Sequence, residues 1–314
     1  MSTVRTLLPT DLPALLAHPG LSHENEAYPR ERLGAGDSQA TLKVVRDQLR
    51  AFARQRSAWV SMHRQRLQGL VGARQRGGNT AWEIDYLLDA TPERRITAGL
   101  LDCAVSQAGK EGAQKVFLRL PVESDLMQPV IETGFLAYQE ETFLVREARP
   151  TSATEPTGMR QAAASDSYPL FRLYCAALPE SIRRFEAATF DEWHASQERR
   201  WHKNGAHFVV ERDSRLLARL RACRLPQGLM LDLLLDSSVA DELPALVEAA
   251  VTAAGSTNEP IYVLLPLAAE DATRVLQAAG FNAQDQYVSL VRRTTKPLAL
   301  PRKVPVVAEN AIGV

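Results

Sequence analysis

The sequence predicts a mixed α/β protein in which one unit of strands and helices is laid down twice. Three observations lead there. Short apolar strands precede a strand–helix–strand stretch, an order that gives an antiparallel run leading into a crossover, and so a mixed sheet. The segment Ala148–Gly158 (ARPTSATEPTG) is rich in Pro, Ser and Thr and reads as an inter-domain linker. Beyond it, landmarks of the first half return in the same order. The chain has 314 residues, which favours two domains, each long enough to bury a core of its own.

The first half justifies its elements one by one. Val4–Leu7 alternates apolar and polar residues as an opening strand does. Pro9-Thr10-Asp11 is a helix start whose apolar face would hold Leu12, Leu15 and Leu16. Residues 18–37 carry Gly, Pro and Asn without a period and read as loop. Ser38 precedes a helix with Leu42, Val45, Leu49 and Phe52 on one face. Ala58–Met62 and Leu67–Ala73 form a hairpin across HRQR, and Gly77-Gly78 turns the chain into a strand at Ala81–Leu88. A helix is expected over Arg95–Ala108, a strand over Lys115–Leu120 and a helix over Asp125–Thr133. Gly134 then stops the chain before a closing strand at Thr142–Arg146.

The second half repeats these landmarks. Arg5 and Asp11 answer to Arg160 and Asp166, Trp59-Val60 to Phe208-Val209, and Leu67 to Leu216. Asp85 and Asp89 answer to Asp232 and Asp236, and Pro121 to Pro266. Gly134-Phe135 answers to Gly280-Phe281, and Arg146 to Arg292. The offset stays between about 145 and 155 residues, which is the mark of an internal duplication. The units are expected at 1–148 and 158–295, joined by 149–157 and followed by a tail at 296–314. An inserted helix capped by Thr189 would align Trp193, Gln197 and Trp201.

Composition narrows the function classes. With 37 basic and 37 acidic residues the net charge is zero, so no nucleic-acid partner is expected. No apolar run is long enough to span a bilayer, and the N-terminus lacks a basic segment followed by an apolar one. A cytoplasmic location without a membrane partner is expected. Cys103, Cys175 and Cys223 are odd in number and widely spaced, as small buried thiols are in a reducing compartment. His194 and His202 have no third ligand nearby, so no metal site is expected. Trp193 and Trp201, with Arg183, Arg184, Arg199 and Arg200, form either an aromatic-basic patch over the cleft between domains or ordinary core or domain-interface residues.

The junction Trp82–Leu101 (WEIDYLLDATPERRITAGLL) carries the chemistry. A strand runs through a short turn into a helix that begins with Arg94 and Arg95. Such a junction collects backbone N–H groups and positive charge in one spot, which suits a pyrophosphate. Two arginines in a first turn oppose the helix dipole by a few tenths of a kcal/mol each, a misfit that an anionic ligand would relieve.

This order of elements, with a Gly-Phe pair before the closing strand, resembles the GNAT superfamily of acyl-CoA-dependent N-acyltransferases, over both halves. The resemblance implies two tandem GNAT-like domains and acetyl-CoA or another acyl-CoA as co-substrate. It also implies that the strand residues Tyr86, Leu87 and Leu88 pair with the pantetheine arm. Arg94, Arg95, Ile96, Thr97, Ala98 and Gly99 would then hold the pyrophosphate. The match is partial: the loop is about three residues short, and Arg95 and Thr97 stand where the family places glycines. The second copy has Asp236, Asp241 and Glu242 in the corresponding place, which is unsuited to phosphate, so only the first copy is expected to take the cofactor.

Transfer to an amine needs a proton acceptor. In the resemblance this is a carboxylate on the central strand, here Glu83 or Asp85. The family's leaving-group acid falls on Val130, or Leu276 in the second copy, and neither donates a proton; Tyr138 and Tyr86 are the nearest alternatives in sequence. The expected function is acyl transfer to a small-molecule amine by a monomer or homodimer. Its rival is a catalytically silent scaffold of the same fold that binds a partner or small ligand.

Overall fold

The computed structural model describes residues 3–11, 25–34, 56–63, 66–76, 78, 80–148, 158–197, 205–255 and 258–294. The expected helices with Leu12, Leu15 and Leu16 and with Leu42–Phe52, Gly77, residues 149–157, Arg199, Arg200, Trp201, His202 and the tail lie outside them.

Among the described residues twelve strands form one continuous sheet. The first half supplies β1 (Thr3–Thr6), β2 (Arg56–His63), β3 (Arg66–Gln75), β4 (Ala81–Asp89), β5 (Lys115–Pro121) and β6 (Leu136–Arg146). The second supplies β7 (Met159–Gln161), β8 (Gly205–Arg212), β9 (Arg215–Leu225), β10 (Gly228–Leu235), β11 (Ile261–Pro266) and β12 (Asn282–Arg293). The order across the sheet is β1-β2-β3-β4-β5-β12-β6-β11-β10-β9-β8-β7. The order reads the same from both ends once each strand is replaced by its repeat partner, so a pseudo-two-fold axis passes between β12 and β6.

The two final strands are exchanged. β6 leaves the first half and pairs antiparallel with β11, while β12 returns and pairs antiparallel with β5. Each unit's core is therefore completed by the other. Val288 and Leu290 of β12 are buried with Trp82, Leu100 and Leu118, and Leu144 of β6 is buried with Leu231, Val247 and Val263. Apolar periodicity alone assigns each half a closing strand of its own. It did not reveal the crossing, because apolar alternation is satisfied beside either neighbour. β6 also begins at Leu136, earlier than the expected Thr142, because its first five residues are mostly exposed and lack an apolar pattern.

Helix α1 (Thr97–Lys110) lies on β2, β3 and β4 and buries Leu100, Leu101, Ala104 and Ala108 against them. It starts two residues later than expected because Pro92–Arg94 form a separate 3-10 turn. Helix α2 (Met127–Glu132) is shorter than its apolar pattern suggested. In the second half α3 (Ser167–Ala177), α4 (Glu180–Glu186) and α5 (Phe190–Ser196) precede β8. Helices α6 (Leu243–Ala253) and α7 (Glu270–Ala278) follow β10 and β11 respectively. Among the described residues no helix is long and apolar enough to cross a membrane.

The duplication is written in matching contacts. Arg5 makes two hydrogen bonds to Asp11, at 2.7 and 2.6 Å, and Arg160 makes two to Asp166, at 2.7 and 2.9 Å. Arg5 stands opposite Val60 and Arg160 opposite Val209, so the landmarks agree in register as well as in order. Gly134 and Gly280 have φ of +91° and +90°, which glycine adopts without steric cost. That turn delivers Phe135 and Phe281 into their cores.

Thr189 caps α5 as expected, its Oγ accepting from the Glu192 amide at 3.2 Å. The helix ends at Ser196 and Gln197 is extended, so Gln197 does not continue Trp193's helical face. Trp193 is a core residue, packed with Leu170, Leu173 and Tyr174. His194 lies beside Phe190, and Arg184 pairs with Glu180 at the surface.

Candidate functional site

The strand–turn–helix junction forms where the sequence puts it, and its amides are already in use. Asp89 ends β4 and is fully buried. Its Oδ2 accepts from the amides of Ile96 (3.1 Å) and Thr97 (2.9 Å) and from the Thr97 hydroxyl (2.8 Å). Its Oδ1 accepts from the Thr91 amide (2.9 Å) and hydroxyl (2.5 Å). The Arg95 amide donates to the Thr91 hydroxyl at 3.0 Å. A carboxylate thus occupies the positive end of α1, the position a ligand phosphate would take. Arg94 adopts a left-handed conformation, φ +52°. Its guanidinium donates to the Asp89 carbonyl and approaches Asp125 at 3.5 Å and Glu26 at 3.7 Å. Arg95, Ala98 and Gly99 are exposed.

The strands beside the junction do part. β4 and β5 pair in parallel only over Ala81–Glu83 and Lys115–Phe117, then diverge. The segment Asn25–Tyr28 lies in the gap and bonds to both sides. The Asn25 side-chain oxygen accepts from the Leu87 amide at 2.8 Å, and its nitrogen donates to the Asp85 carbonyl at 3.0 Å. The Glu26 amide donates to the Leu87 carbonyl at 2.9 Å, and the Tyr28 amide to the Arg119 carbonyl at 3.0 Å. The backbone groups that the resemblance assigns to a pantetheine arm at Leu87 are satisfied by the chain itself. Leu87 and Leu88 are buried, and burial pushes the Tyr86 hydroxyl up to about 12.

Glu83 and Asp85 both lie against one guanidinium. Arg74 donates to Glu83 at 2.7 Å and to Glu31 at 2.8 Å, and its Nε lies 3.6 Å from Asp85. These carboxylates raise Arg74 well above its ordinary value despite its burial. Asp85 is the extra residue of a bulge, since Gly72 faces Tyr86 while Ala73 faces Ile84. The pair is a buried ion cluster, with one carboxylate oxygen of each turned to Arg74. Tyr138 is held between Phe117 and Phe185, and burial keeps its hydroxyl protonated far above the usual range.

Among the described residues no segment equivalent to Asn25–Tyr28 bridges the corresponding strands of the second half. β10 and β11 pair only over Leu229–Leu231 and Ile261–Val263. Beyond them lies an open-mouthed cavity of about 90 Å³, walled by Asp232, Leu234, Leu264 and Pro266 of those strands, by Tyr174 of α3 and Trp193 of α5, and by Gln197. Asp232 receives Arg219 and Arg221 at 2.8 Å and also bonds Arg30. Arg119 donates to Glu141 at 2.7 Å, and Ser289 of β12 donates to the same oxygen at 2.6 Å. At the start of α6, Asp236 accepts from the Ser238 amide and hydroxyl at 3.0 and 2.7 Å, and Glu242 pairs with Arg212.

Sequence reasoning passed over Asn25, Asp89 and this arginine group as functional residues. Asp89-x-Thr91 is a side-chain turn signal at a helix start. Arg219 and Arg221 share a strand face opposite Asp232, and two inward-facing bases two residues apart were the visible clue. Among the described residues no group of His, Cys, Asp and Glu is placed to hold a metal.

No family model matches the chain, and no curated protein matches it. Its structure is similar to a GCN5-related N-acetyltransferase from Sphaerobacter thermophilus, at 15% identity and TM-score 0.54, covering 93% of this chain and 96% of that one. It is similar to a tandem GNAT protein from the clavulanic acid biosynthesis pathway, at 12% identity and TM-score 0.54, covering 94% and 99%. It is also similar to Saccharomyces cerevisiae N-myristoyltransferase with bound myristoyl-CoA, at 12% identity and TM-score 0.50, covering 94% and 84%. The chain has the GNAT fold, in two tandem copies.

Proposed function

We propose that this protein uses the doubled GNAT scaffold to bind a small ligand, and that it does not transfer an acyl group from acyl-CoA at the first-half junction. One observation carries the reading. Asp89 takes the helix-start amides and Asn25–Tyr28 takes the strand edge, so diphosphate and pantetheine would each have to displace a protein group of matching chemistry. Leaving Asp89 or Asn25 without partners in a buried place costs about 1–3 kcal/mol each. A division into units 1–148 and 158–295, joined by 149–157, belongs to the same proposal. The test is incubation with acetyl-CoA and a panel of amines, read by mass spectrometry. No acetylated product is expected, and a clear product overturns the reading.

A second reading keeps the transferase. It is favoured by the divergence of β4 and β5 and by the myristoyl-CoA held by one similar structure. In it acetyl-CoA displaces Asn25–Tyr28, Arg94 and Arg95 take the diphosphate, and Glu83 or Asp85 accepts a proton from a small amine. That path requires Glu83 or Asp85 to part from Arg74.

A further inference from the structure

Residues 25–34 join two places that β12, β6 and β11 separate in the sheet. At one end, Asn25, Glu26 and Tyr28 fill the gap between β4 and β5. At the other, Leu33 is fully buried in a core made with Phe143 of β6, Leu225 of β9, Met230 of β10 and Tyr262 of β11. The Gln227 side chain, in the turn between β9 and β10, donates to the Leu33 carbonyl at 2.8 Å and to the Glu31 carbonyl at 3.3 Å. Gly34 has φ +74°, and a Cβ there would stand 2.7 Å from the Tyr262 ring. Glycine alone lets the chain lie against that ring in this conformation.

The middle of the segment ties the two ends together. Tyr28 packs on Tyr287 of β12, ring centroids 5.1 Å apart. Arg30 and Glu31 are adjacent, yet they bond to opposite halves. Glu31 accepts from Arg74 of β3 at 2.8 Å, and Arg30 donates to Asp232 of β10. Arg74 lies against Asp85, and Arg221 lies against its repeat equivalent Asp232, so the segment touches both copies of one ion pair. Arg32 is the brace. Its guanidinium donates to the carbonyls of Asn25 and Ala27 and lies over the Tyr28 ring at 4.4 Å. Lifting Leu33 draws Arg32 away from the carbonyls that shape the end lying in the gap.

We propose that residues 25–34 seat and release as one strap, so that the second half, through Gln227 and the Leu33 core, controls whether the gap between β4 and β5 is closed. In the seated state Leu33 is in its core and Asn25 holds the Leu87 edge. In the released state Leu33 leaves that core, Arg30 leaves Asp232, and the Leu87 amide and carbonyl are bared together. The coupling is reciprocal: weakening the far seat opens the gap, and filling the gap from outside loosens the far seat. The strap holds for either reading of the function, since each begins from a gap that the chain itself fills.

The experiment is residue-resolved hydrogen exchange on the full chain in low urea. In the parent chain the amides of Tyr28, Leu33 and Leu87 are expected to share one opening equilibrium, easier than that of Leu118 in the neighbouring core. Gln227→Ala removes two hydrogen bonds at the far seat and should accelerate exchange at all three amides by about tenfold or more, with Leu118 unchanged. Gly34→Ala removes no side-chain bond and should act in the same direction, by pushing the chain off Tyr262. If Gln227→Ala does not fold, Gly34→Ala and the parent chain decide. Separate opening of Leu33 and Leu87 in the parent chain overturns the strap. So does acceleration at Leu33 that does not reach Leu87, or equal acceleration at Leu118. The proposed function is decided separately, by the acetylated product that these exchange rates do not report.

Discussion

The Asp89 carboxylate lies 2.9 Å from the Thr97 amide, inside the first turn of α1. One side chain thereby satisfies both Ile96 and Thr97, donors that a helix start otherwise offers to solvent or to a ligand.

Asp89→Ala removes that cap and leaves the amides of Thr91, Ile96 and Thr97 without it. A loss of about 2 kcal/mol is expected in urea unfolding. Asp89→Asn, which keeps an acceptor oxygen, should lose less. Equal stability of Asp89→Ala and the parent chain would show that the amides find other partners.

Asn25→Ala strips the strand edge of its bridge. The Leu87 amide and the Asp85 carbonyl then lose buried partners, at a cost of about 1–3 kcal/mol. Hydrogen exchange at the Leu87 amide should accelerate more than exchange at Leu118 in the neighbouring core. Unchanged exchange at Leu87 would mean that Asn25 does not hold the gap closed.

The exchanged strands make two equivalent ties of unequal weight. Arg146 of β6 is 2% exposed, pairs with Glu248 on α6 and stacks at 4.9 Å on Phe281. Arg292 of β12 pairs with Asp102 on α1, but these side chains are 25% and 60% exposed. Removing one partner of a buried pair costs about 3 kcal/mol, whereas exposed pairs contribute at most about 1 kcal/mol. Arg146→Ala is expected to lower the thermal midpoint well beyond Arg292→Ala. The reverse order would contradict the unequal weight of the two ties.

Hydrogen bonds from Arg5 and Arg160 hold Asp11 and Asp166 below their ordinary value. Their folded form binds protons less readily than the unfolded chain, so their contribution is present above the ordinary carboxylate range. It is lost as pH falls through the depressed values. The denaturation midpoint should stay level from neutral pH down to about 5 and fall below about 4. The double variant Asp11→Asn, Asp166→Asn should show a shallower acid limb. An identical limb would remove these pairs from the acid response.

Much of the fold was legible in the sequence, because it rests on patterns that local chemistry fixes. Arg5 with Asp11 and Arg160 with Asp166 could be matched on spacing alone, and Gly134-Phe135 and Gly280-Phe281 marked two turns that need a positive φ. The crossing of β6 and β12 was not legible, since Leu144 and Leu290 are equally apolar whichever core receives them. The junction at Pro92–Thr97 was legible as a place for an anion. What fills it was not, because Asp89 lies on the strand before the turn. Asn25 comes from a stretch without period, 62 residues before the Leu87 amide it bonds. Long-range polar contacts of that kind leave no trace in spacing.

The most direct test is a calorimetric titration of the full chain with acetyl-CoA. No saturable binding that depends on Arg94 and Arg95 is expected up to millimolar cofactor, because the amides of Ile96 and Thr97 and the edge at Leu87 already have partners. Saturable binding that disappears in the Arg94→Ala, Arg95→Ala double variant would contradict this account and restore the junction as an acyl-CoA site.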